Sequence, residues 1–246
     1  MNFSNFIKKY ILIGLAIFIL NQIILPAKAQ VAIPGLSNLT NPNFDFLISW
    51  KAINYVPADY KGKILPSKNS TIQISFDVLD SGKFINISKQ QVEWYLNDNL
   101  IKSGVGLKSI TFTASTNSNV IEILIPNYTD SKYSAAQINT IITIPIASPE
   151  IVIKAPYPNK NITIGDNLFQ VLPYFFNINT LNQLKVDWEV DGVKNSGTAD
   201  RQDILNLTTT SQGQAATGTN VGIKAFVQNL TNQFEFAQNY INLNIK

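Results

Sequence analysis

One short motif occurs twice in this chain of 246 residues, and it constrains the fold more than any other feature. Val92–Asp98 reads VEWYLND and Val186–Gly192 reads VDWEVDG, so the two tryptophans stand 94 positions apart. Apolar and polar residues alternate in each copy, which indicates a strand with one buried face. The closing Asn-Asp and Asp-Gly pairs favour a tight hairpin turn. A repeat of this length fits one immunoglobulin-sized β-sandwich per copy.

Other segments with the same alternation predict further strands. No long window has the spacing of an amphipathic helix, and 131–139 is the best place for a short helical turn. The alternating segments are 44–50, 71–78, 120–125, 140–146, 150–154, 185–190, 221–227 and 238–245. The sequence therefore predicts an all-β fold of two tandem immunoglobulin-like antiparallel β-sandwiches. We place the first sandwich at 43–147 and the second at 148–246.

The first 29 residues have the layout of a signal peptide for export. Two lysines form a basic start, residues 10–25 are mainly apolar, and Ala27 and Ala29 supply small residues before Gln30. The unbroken apolar run is about half of the roughly 20 residues that a membrane-spanning helix needs. We therefore expect a signal peptide at 1–29, a linker at 30–42, and a mature protein that is extracellular, on the cell surface or periplasmic. Without cleavage, the apolar segment would anchor the chain in the membrane.

Composition narrows the possible chemistry, because the chain contains no cysteine and no histidine. This excludes disulfides, thiolate or imidazole metal ligands and the catalytic triads that use histidine. Three of the 19 basic residues lie in the signal segment, so the remainder has 16 basic and 16 acidic residues and no net charge. Such a chain has no general electrostatic attraction for nucleic acid. We expect a protein that is not an enzyme, needs no cofactor and binds no nucleic acid.

The two repeated tryptophans, Trp94 and Trp188, are candidates either for a stacking platform or for the sandwich core. A sugar or peptide could stack on an exposed indole ring. Both residues, however, occupy the same position in a repeat. We therefore predict that each is the central core residue of its sandwich.

Three acids of the second copy fall on one face of the predicted strand. Asp187, Glu189 and Asp191 are spaced two apart, which directs them away from the face that carries Trp188. Aligned carboxylates could hold Ca²⁺. The simpler interpretation is the solvated face of an antiparallel sheet, and the first copy has Glu93, Tyr95 and Asn97 at the same places. Calcium is thus the less favoured alternative, and we expect no metal.

The Trp-centred unit, with its turn and following glycine, resembles PKD-like and other bacterial immunoglobulin-like modules. Ser49–Ala52 (SWKA) and Tyr55–Pro66 (YVPADYKGKILP) resemble a further group, exported proteins of candidate-phylum bacteria with two such modules. The resemblance would cover most of the mature chain, and the twelve residues from Tyr55 are its most specific part. It implies an envelope-associated or secreted protein and carries no catalytic residues.

The segment Tyr55–Pro66 has two interpretations. Its prolines oppose a regular internal strand, so it reads as a crossover loop whose tyrosines pack over a core. Alternatively, Tyr55, Tyr60 and Lys61 form a loop that binds a partner, since loops on rigid sandwiches often carry binding.

The favoured function is that of a non-enzymatic exported structural or interaction protein of the cell envelope, in adhesion, spacing or surface assembly. Its partner would be an envelope or extracellular protein or a glycan. The alternative is a carbohydrate- or peptide-binding module that uses exposed aromatic residues. This alternative requires several aromatics on one exposed face, from the set Tyr55, Tyr60, Tyr157 and Tyr174. A covalent Lys–Asn crosslink is a further possibility that residue abundance alone does not support.

Overall fold

The computed structural model describes residues 44–115, 118–156, 159, 161–210 and 218–246. The predicted signal peptide, the linker and Tyr157 lie outside the described residues. Sixteen β-strands and one short 3-10 turn, Leu181–Gln183, are assigned within them. The described part of the chain is therefore all-β, as predicted. It contains no helix that is long and apolar enough to cross a membrane.

The first sandwich contains strands β1–β8. One sheet has the order β1-β2-β3, with β6 also paired to β2, and the other has the order β5-β4-β7-β8. All pairings in these two sheets are antiparallel. The strands are β1 Phe44–Ile53, β2 Thr71–Asp80, β3 Lys83–Phe84, β4 Gln91–Leu96, β5 Asn99–Val105, β6 Ser109–Thr113, β7 Asn119–Tyr128 and β8 Ala136–Ile144.

The second sandwich contains strands β9–β16. Its sheets have the orders β14-β11-β9 and β10-β16-β15-β12-β13. The short strand β10 is parallel to β16, and the other pairs are antiparallel. The strands are β9 Glu150–Lys154, β10 Asn161–Ile162, β11 Gly165–Tyr174, β12 Leu184–Val190, β13 Val193–Asn195, β14 Ile204–Thr209, β15 Asn220–Asn229 and β16 Phe236–Ile245.

Apart from the short strands β3 and β10, the two sandwiches repeat the same strand pairing, so the structure contains two tandem immunoglobulin-like β-sandwiches. The Trp-bearing strands β4 and β12 each begin a two-residue hairpin. Asn97 and Asp98 have φ of 48° and 64°, and Asp191 and Gly192 have φ of 48° and 82°. A positive φ at both central residues is what a type I′ turn requires. The side chains of Asn97 and Asp191 accept equivalent bonds, from the N–H of Val120 at 3.0 Å and of Gly222 at 2.7 Å.

Each sandwich has its own core, and one tryptophan lies in each. Trp94 is 0% exposed and Trp188 is 1% exposed. Each indole N–H donates to a backbone carbonyl at 2.9 Å, Trp94 to Leu107 and Trp188 to Gln202. The repeated tryptophans therefore occupy the core position, with their only polar group satisfied.

The sequence prediction of a short helical turn within 131–139 is wrong. The chain turns after β7 and enters β8 at Ala136. The Asp130 carboxylate causes this turn by accepting the N–H groups of Lys132 at 2.7 Å and Tyr133 at 2.8 Å. Such a side chain closes a local turn in place of a helical hydrogen bond.

The predicted boundary near Ala147–Pro149 lies between β8 and β9. Contacts nevertheless unite Thr40–Lys246 into one compact unit. The division into two separate domains at this boundary therefore stays a prediction.

Trp94→Ala should lower the free energy of unfolding by about 3–5 kcal/mol, because it leaves a cavity and an unsatisfied Leu107 carbonyl. Urea unfolding followed by far-UV circular dichroism measures this change. The control is Phe84→Ala, at a side chain that is 70% exposed; its effect should stay within about 0.5 kcal/mol. Equal losses in the two variants would contradict the core role of Trp94.

Candidate functional site

The two sandwiches are joined by a short backbone ladder at the start of the Tyr55–Pro66 loop. The N–H of Tyr55 donates to the Phe176 carbonyl at 2.8 Å, and the N–H of Phe175 donates to the Tyr55 carbonyl at 2.8 Å. Phe175 has a φ of 62°, a left-handed backbone conformation that bulky residues rarely adopt. Such a conformation persists only where surrounding contacts fix it, so this ladder holds the chain in one conformation.

A buried amide reinforces the ladder. The side-chain nitrogen of Asn54 lies 3.1 Å from three acceptors: the Leu65 carbonyl, the Ser67 hydroxyl and the Phe175 carbonyl. The first two belong to the loop that leaves β1, and the third belongs to the second sandwich. Asn54 therefore ties the two ends of the loop to each other and to the neighbouring sandwich.

Glu235 is the charged centre of the same junction and is only 5% exposed. One carboxylate oxygen accepts from the Ser67 hydroxyl at 3.2 Å and from the N–H of Asn177 at 2.8 Å. The other oxygen accepts from the Asn229 amide at 2.5 Å. Among the described residues no Lys or Arg forms an ion pair with it, so hydrogen bonds alone compensate its burial. Sequence reasoning did not single out Glu235, because only tertiary contacts bury it.

The structure places the three predicted loop residues differently. Tyr55 packs against the core of the second sandwich; burial, with the nearby Asp203 charge, raises the pKa of its phenol. The Tyr60 hydroxyl donates to the Lys63 carbonyl at 3.1 Å, and its ring meets the Tyr174 ring edge-on at 5.7 Å. Lys61 is exposed. Both tyrosines thus contact other parts of the chain, and of the three predicted residues Lys61 alone is exposed.

The position of the Tyr60 ring explains why a glycine follows at position 62. A Cβ at Gly62 would lie 2.3 Å from the Tyr60 hydroxyl, so a side chain there would displace the ring. Tyr60 and Tyr174, two of the aromatics predicted for a shared exposed face, are in contact. The Tyr60 ring also meets the ring of Phe175. Tyr55, Tyr60 and Tyr174 are all only partly exposed.

Asp187 and Glu189 lie on the outer face of β12, Asp191 lies in the hairpin turn that follows, and all three already have partners. Asp187 pairs with Lys185 at 2.6 Å, and Glu189 lies 3.9 Å from the amine of Lys224. The Asp191 carboxylate accepts the Gly222 N–H in the hairpin. The described part of the chain holds no cluster of acids suited to a metal ion. Its geometry therefore gives the calcium alternative no support.

An exposed aromatic surface lies on the same sheet, beside these acids. Phe226 of β15 and Phe236 of β16 stack with centroids 5.6 Å apart and planes 28° apart. Phe236 is 51% exposed and Tyr240 is 59% exposed. Gln238 lies between them on β16, opposite Phe226. We call Phe226, Phe236, Gln238 and Tyr240 the aromatic face. The alternation in β15 and β16 could have predicted it from the sequence.

A cleft of about 400 Å³ opens at the edge of the second sandwich. We call it the edge cleft; six of its lining residues are Val171, Leu184, Val186, Ala199, Arg201 and Leu230. Volumes of about 300–1,000 Å³ are usual for ligand sites. The cleft therefore has the size of a binding site, although no sequence motif marks it.

An ion pair lines one side of the edge cleft. Arg201, the only arginine of the chain, donates to both carboxylate oxygens of Asp203, at 2.7 Å and 2.6 Å. Burial of Asp203 acts to raise its pKa, but the bonds from Arg201 and Gln170 outweigh burial and lower it. Asp203 is thus held as a carboxylate whose oxygens are occupied, which does not suit a general acid or base.

Comparisons with known proteins give only distant likenesses. No family model matches the chain, and no curated protein matches its sequence. Among solved structures, fibronectin(III)-like modules of Clostridium thermocellum CbhA align at 14% identity over 79% of this chain and 94% of theirs, with a TM-score of 0.28. Three N-terminal domains of the bacteriophage RB49 outer capsid protein Hoc align at 9% identity over 82% of this chain and 59% of theirs, with a TM-score of 0.41. These TM-scores carry no functional argument, and the resemblance to candidate-phylum proteins stays a prediction.

Glu235→Ala should lower the free energy of unfolding by about 1–3 kcal/mol, because buried donors from Ser67, Asn177 and Asn229 lose their acceptor. Glu235→Gln keeps one acceptor oxygen and should lose less. Thermal and urea unfolding of the full chain measure both changes. The exposed Glu150→Ala is the matched control, with an expected effect within about 0.5 kcal/mol. An equal effect of Glu235→Ala and Glu150→Ala would show that the junction adds no stability.

Proposed function

We propose that this chain is a non-enzymatic exported structural and interaction module, in which two joined sandwiches hold binding surfaces at a fixed separation. The observation that carries the proposal is the hydrogen-bonded junction around Glu235 and the Tyr55 ladder. Domains in one chain usually move relative to each other unless their interface resists it. Here a movement would break backbone bonds and expose a carboxylate network that is buried.

The connection between the sandwiches supports the same conclusion. The N–H of Ala147 donates to the Pro66 carbonyl at 2.8 Å, so the end of the first sandwich is bound to the end of the Tyr55 loop. The side chain of Asn177 also donates across the junction, to the Asn69 carbonyl at 3.2 Å. A junction with hydrogen bonds at several points transmits position and orientation, which suits a spacer or assembly component.

The chemistry of the described residues favours binding over catalysis. The chain lacks histidine and cysteine, the acids of β12 have partners, and Asp203 is held by Arg201. Few of the described side chains are therefore suited to transfer a proton or to act as a nucleophile. A partner would be an envelope or extracellular protein or a glycan, because the expected signal peptide directs the chain out of the cytoplasm.

Fractionation of the native host tests the proposed location. We expect a mature form that begins at Gln30, in the medium or a soluble envelope fraction, because a peptidase would cleave after Ala29. Intact mass and N-terminal sequencing identify this form. The control is a chain with Ala27 and Ala29 both changed to Tyr, which should keep its N-terminus. A native chain that retains Met1 in the membrane fraction would instead be a membrane-tethered protein.

The aromatic face favours a second candidate function, the binding of a neutral glycan. Sugar rings present apolar C–H faces together with hydroxyl groups, and the aromatic face offers two separate aromatic surfaces with Gln238 between them. The neighbouring charges are compensated, since Asp187 has Lys185 and Glu189 has Lys224 as partners. A neutral ligand therefore suits this face better than an anionic one.

Phe236→Ala and Tyr240→Ala should each weaken glycan binding about tenfold or more, because each removes a stacking surface. Depletion of the full chain from solution by the insoluble neutral polymers cellulose, chitin and mannan measures binding. Phe84→Ala is the matched control, since it removes an exposed phenylalanine from the first sandwich. Absence of binding to all three polymers, or equal binding of all variants, would reject this second function.

A further inference from the structure

The strand β12 has an open edge in the part of the chain that the structure describes. On one side β12 pairs with β15 from Leu184 to Val190. On the other side β12 pairs with β13 only from Trp188 to Val190. The equivalent strand β4 of the first sandwich is paired with β5 along its whole length, from Gln91 to Leu96. The second sandwich therefore lacks a counterpart to the part of β5 that pairs with the start of β4.

The reason for the difference lies in the chain after β13. A Cβ at Gly197 would lie 2.5 Å from the Gln202 carbonyl oxygen, so only a glycine allows the two segments to approach so closely. The N–H of Thr198 then donates to the Ile204 carbonyl at 2.8 Å, and the N–H of Arg201 donates to the Thr198 carbonyl at 3.1 Å. The chain thus folds on itself and leaves β12 instead of continuing beside it.

Backbone groups of Leu184 and Val186 face the open edge. The N–H of Leu230 donates to the Gln183 carbonyl, and the N–H of Asp191 donates to the Gly222 carbonyl. Hydrogen-bonding direction alternates along an antiparallel strand, so odd-numbered residues of β12 face β15 and even-numbered ones face away. The N–H of Leu184 is used by the Leu181 carbonyl. No described residue bonds to the N–H and carbonyl of Val186, so these two groups remain as a template for another strand.

The edge cleft lies directly beside this template. Val171 and Leu184 are buried and form its apolar floor, and Val186 is half-buried. Ala199 and Leu230 are exposed at its rim. An apolar side chain placed here would leave water and contact the core of the sandwich.

We propose that the edge cleft binds an extended peptide segment, which adds to β12 as a strand and inserts one apolar side chain into the cleft. Main-chain bonds to Val186 would give affinity, and the cleft would give specificity, as in strand addition to exposed sheet edges. Among the charged residues of the rim, Lys185 pairs with Asp187 and Arg201 pairs with Asp203. Asp200 is exposed and has no ion pair with a described residue. The preferred peptide therefore carries a basic residue near its apolar anchor.

Selection of displayed peptides tests this proposal without knowledge of the natural partner. The probe is a phage-displayed library of random twelve-residue peptides, selected on the immobilised full chain. Val186→Pro removes the N–H that faces the edge, whereas Val186→Ala keeps it. Ala199→Trp fills the cleft from its rim, and Ser196→Trp places the same side chain on an exposed residue outside the cleft.

We expect enriched peptides with alternating apolar residues that bind the wild-type chain. Their affinity should fall about tenfold or more for Val186→Pro and Ala199→Trp, and should change little for Ser196→Trp. Val186→Ala should bind better than Val186→Pro. If Val186→Pro does not fold, the two tryptophan variants decide. Enriched peptides that bind both tryptophan variants equally, or a selection that yields no peptide dependent on the cleft, would overturn the proposal. Neither result bears on the junction or on export, which the earlier experiments test.

Discussion

The hydrogen bond from each buried indole to a returning backbone carbonyl organises both sandwiches. A buried tryptophan must satisfy its N–H, so the chain that follows each hairpin has to pass close to the ring. Trp94 reaches Leu107 and Trp188 reaches Gln202. In the first sandwich the chain meets this requirement after a full-length β5. In the second it does so through a loop that folds back at Gly197. Both sandwiches thus satisfy the indole N–H, but by different routes. The edge of β4 is paired along its whole length, whereas the edge of β12 is left partly open.

The junction depends on a different balance. Hydrogen bonds to the Glu235 carboxylate must compensate the free-energy cost of removing it from water. A buried carboxylate without a cation is unfavourable unless its oxygens accept well-placed donors. Glu235 has three such donors, and one of them, Ser67, belongs to the first sandwich. The other two, Asn177 and Asn229, belong to the second sandwich, so the Ser67 bond is the part of this network that crosses the junction. Together with the two backbone bonds between Tyr55 and Phe175–Phe176, the directional Ser67 bond favours one orientation, whereas an apolar contact would tolerate sliding.

Sequence patterns identified the repeated strands because alternation and type I′ turn residues are local signals. The same signals predicted a core role for Trp94 and Trp188, and both side chains are buried. Strand β11 is absent from the predicted strands because a proline opposes a regular internal strand, although Asn167, Phe169 and Val171 alternate inward. Pro173 is accommodated at the strand end, where a missing N–H is tolerated. Glu235 and the edge cleft could not be predicted, because they arise where residues distant in the sequence meet.

An open strand edge is a liability that folded proteins usually cover or protect with charge. Beside the open part of β12, the charged side chains of Lys185, Asp187 and Asp200 oppose the approach of a second flat, apolar edge. They do not close the edge, since no described residue bonds to the backbone groups of Val186 and the cleft lies beside them. The charges at this edge thus oppose pairing with a flat sheet edge, while the cleft accepts a single side chain. This combination favours one kind of occupant. That occupant is a short strand with an apolar anchor and a compensating positive charge.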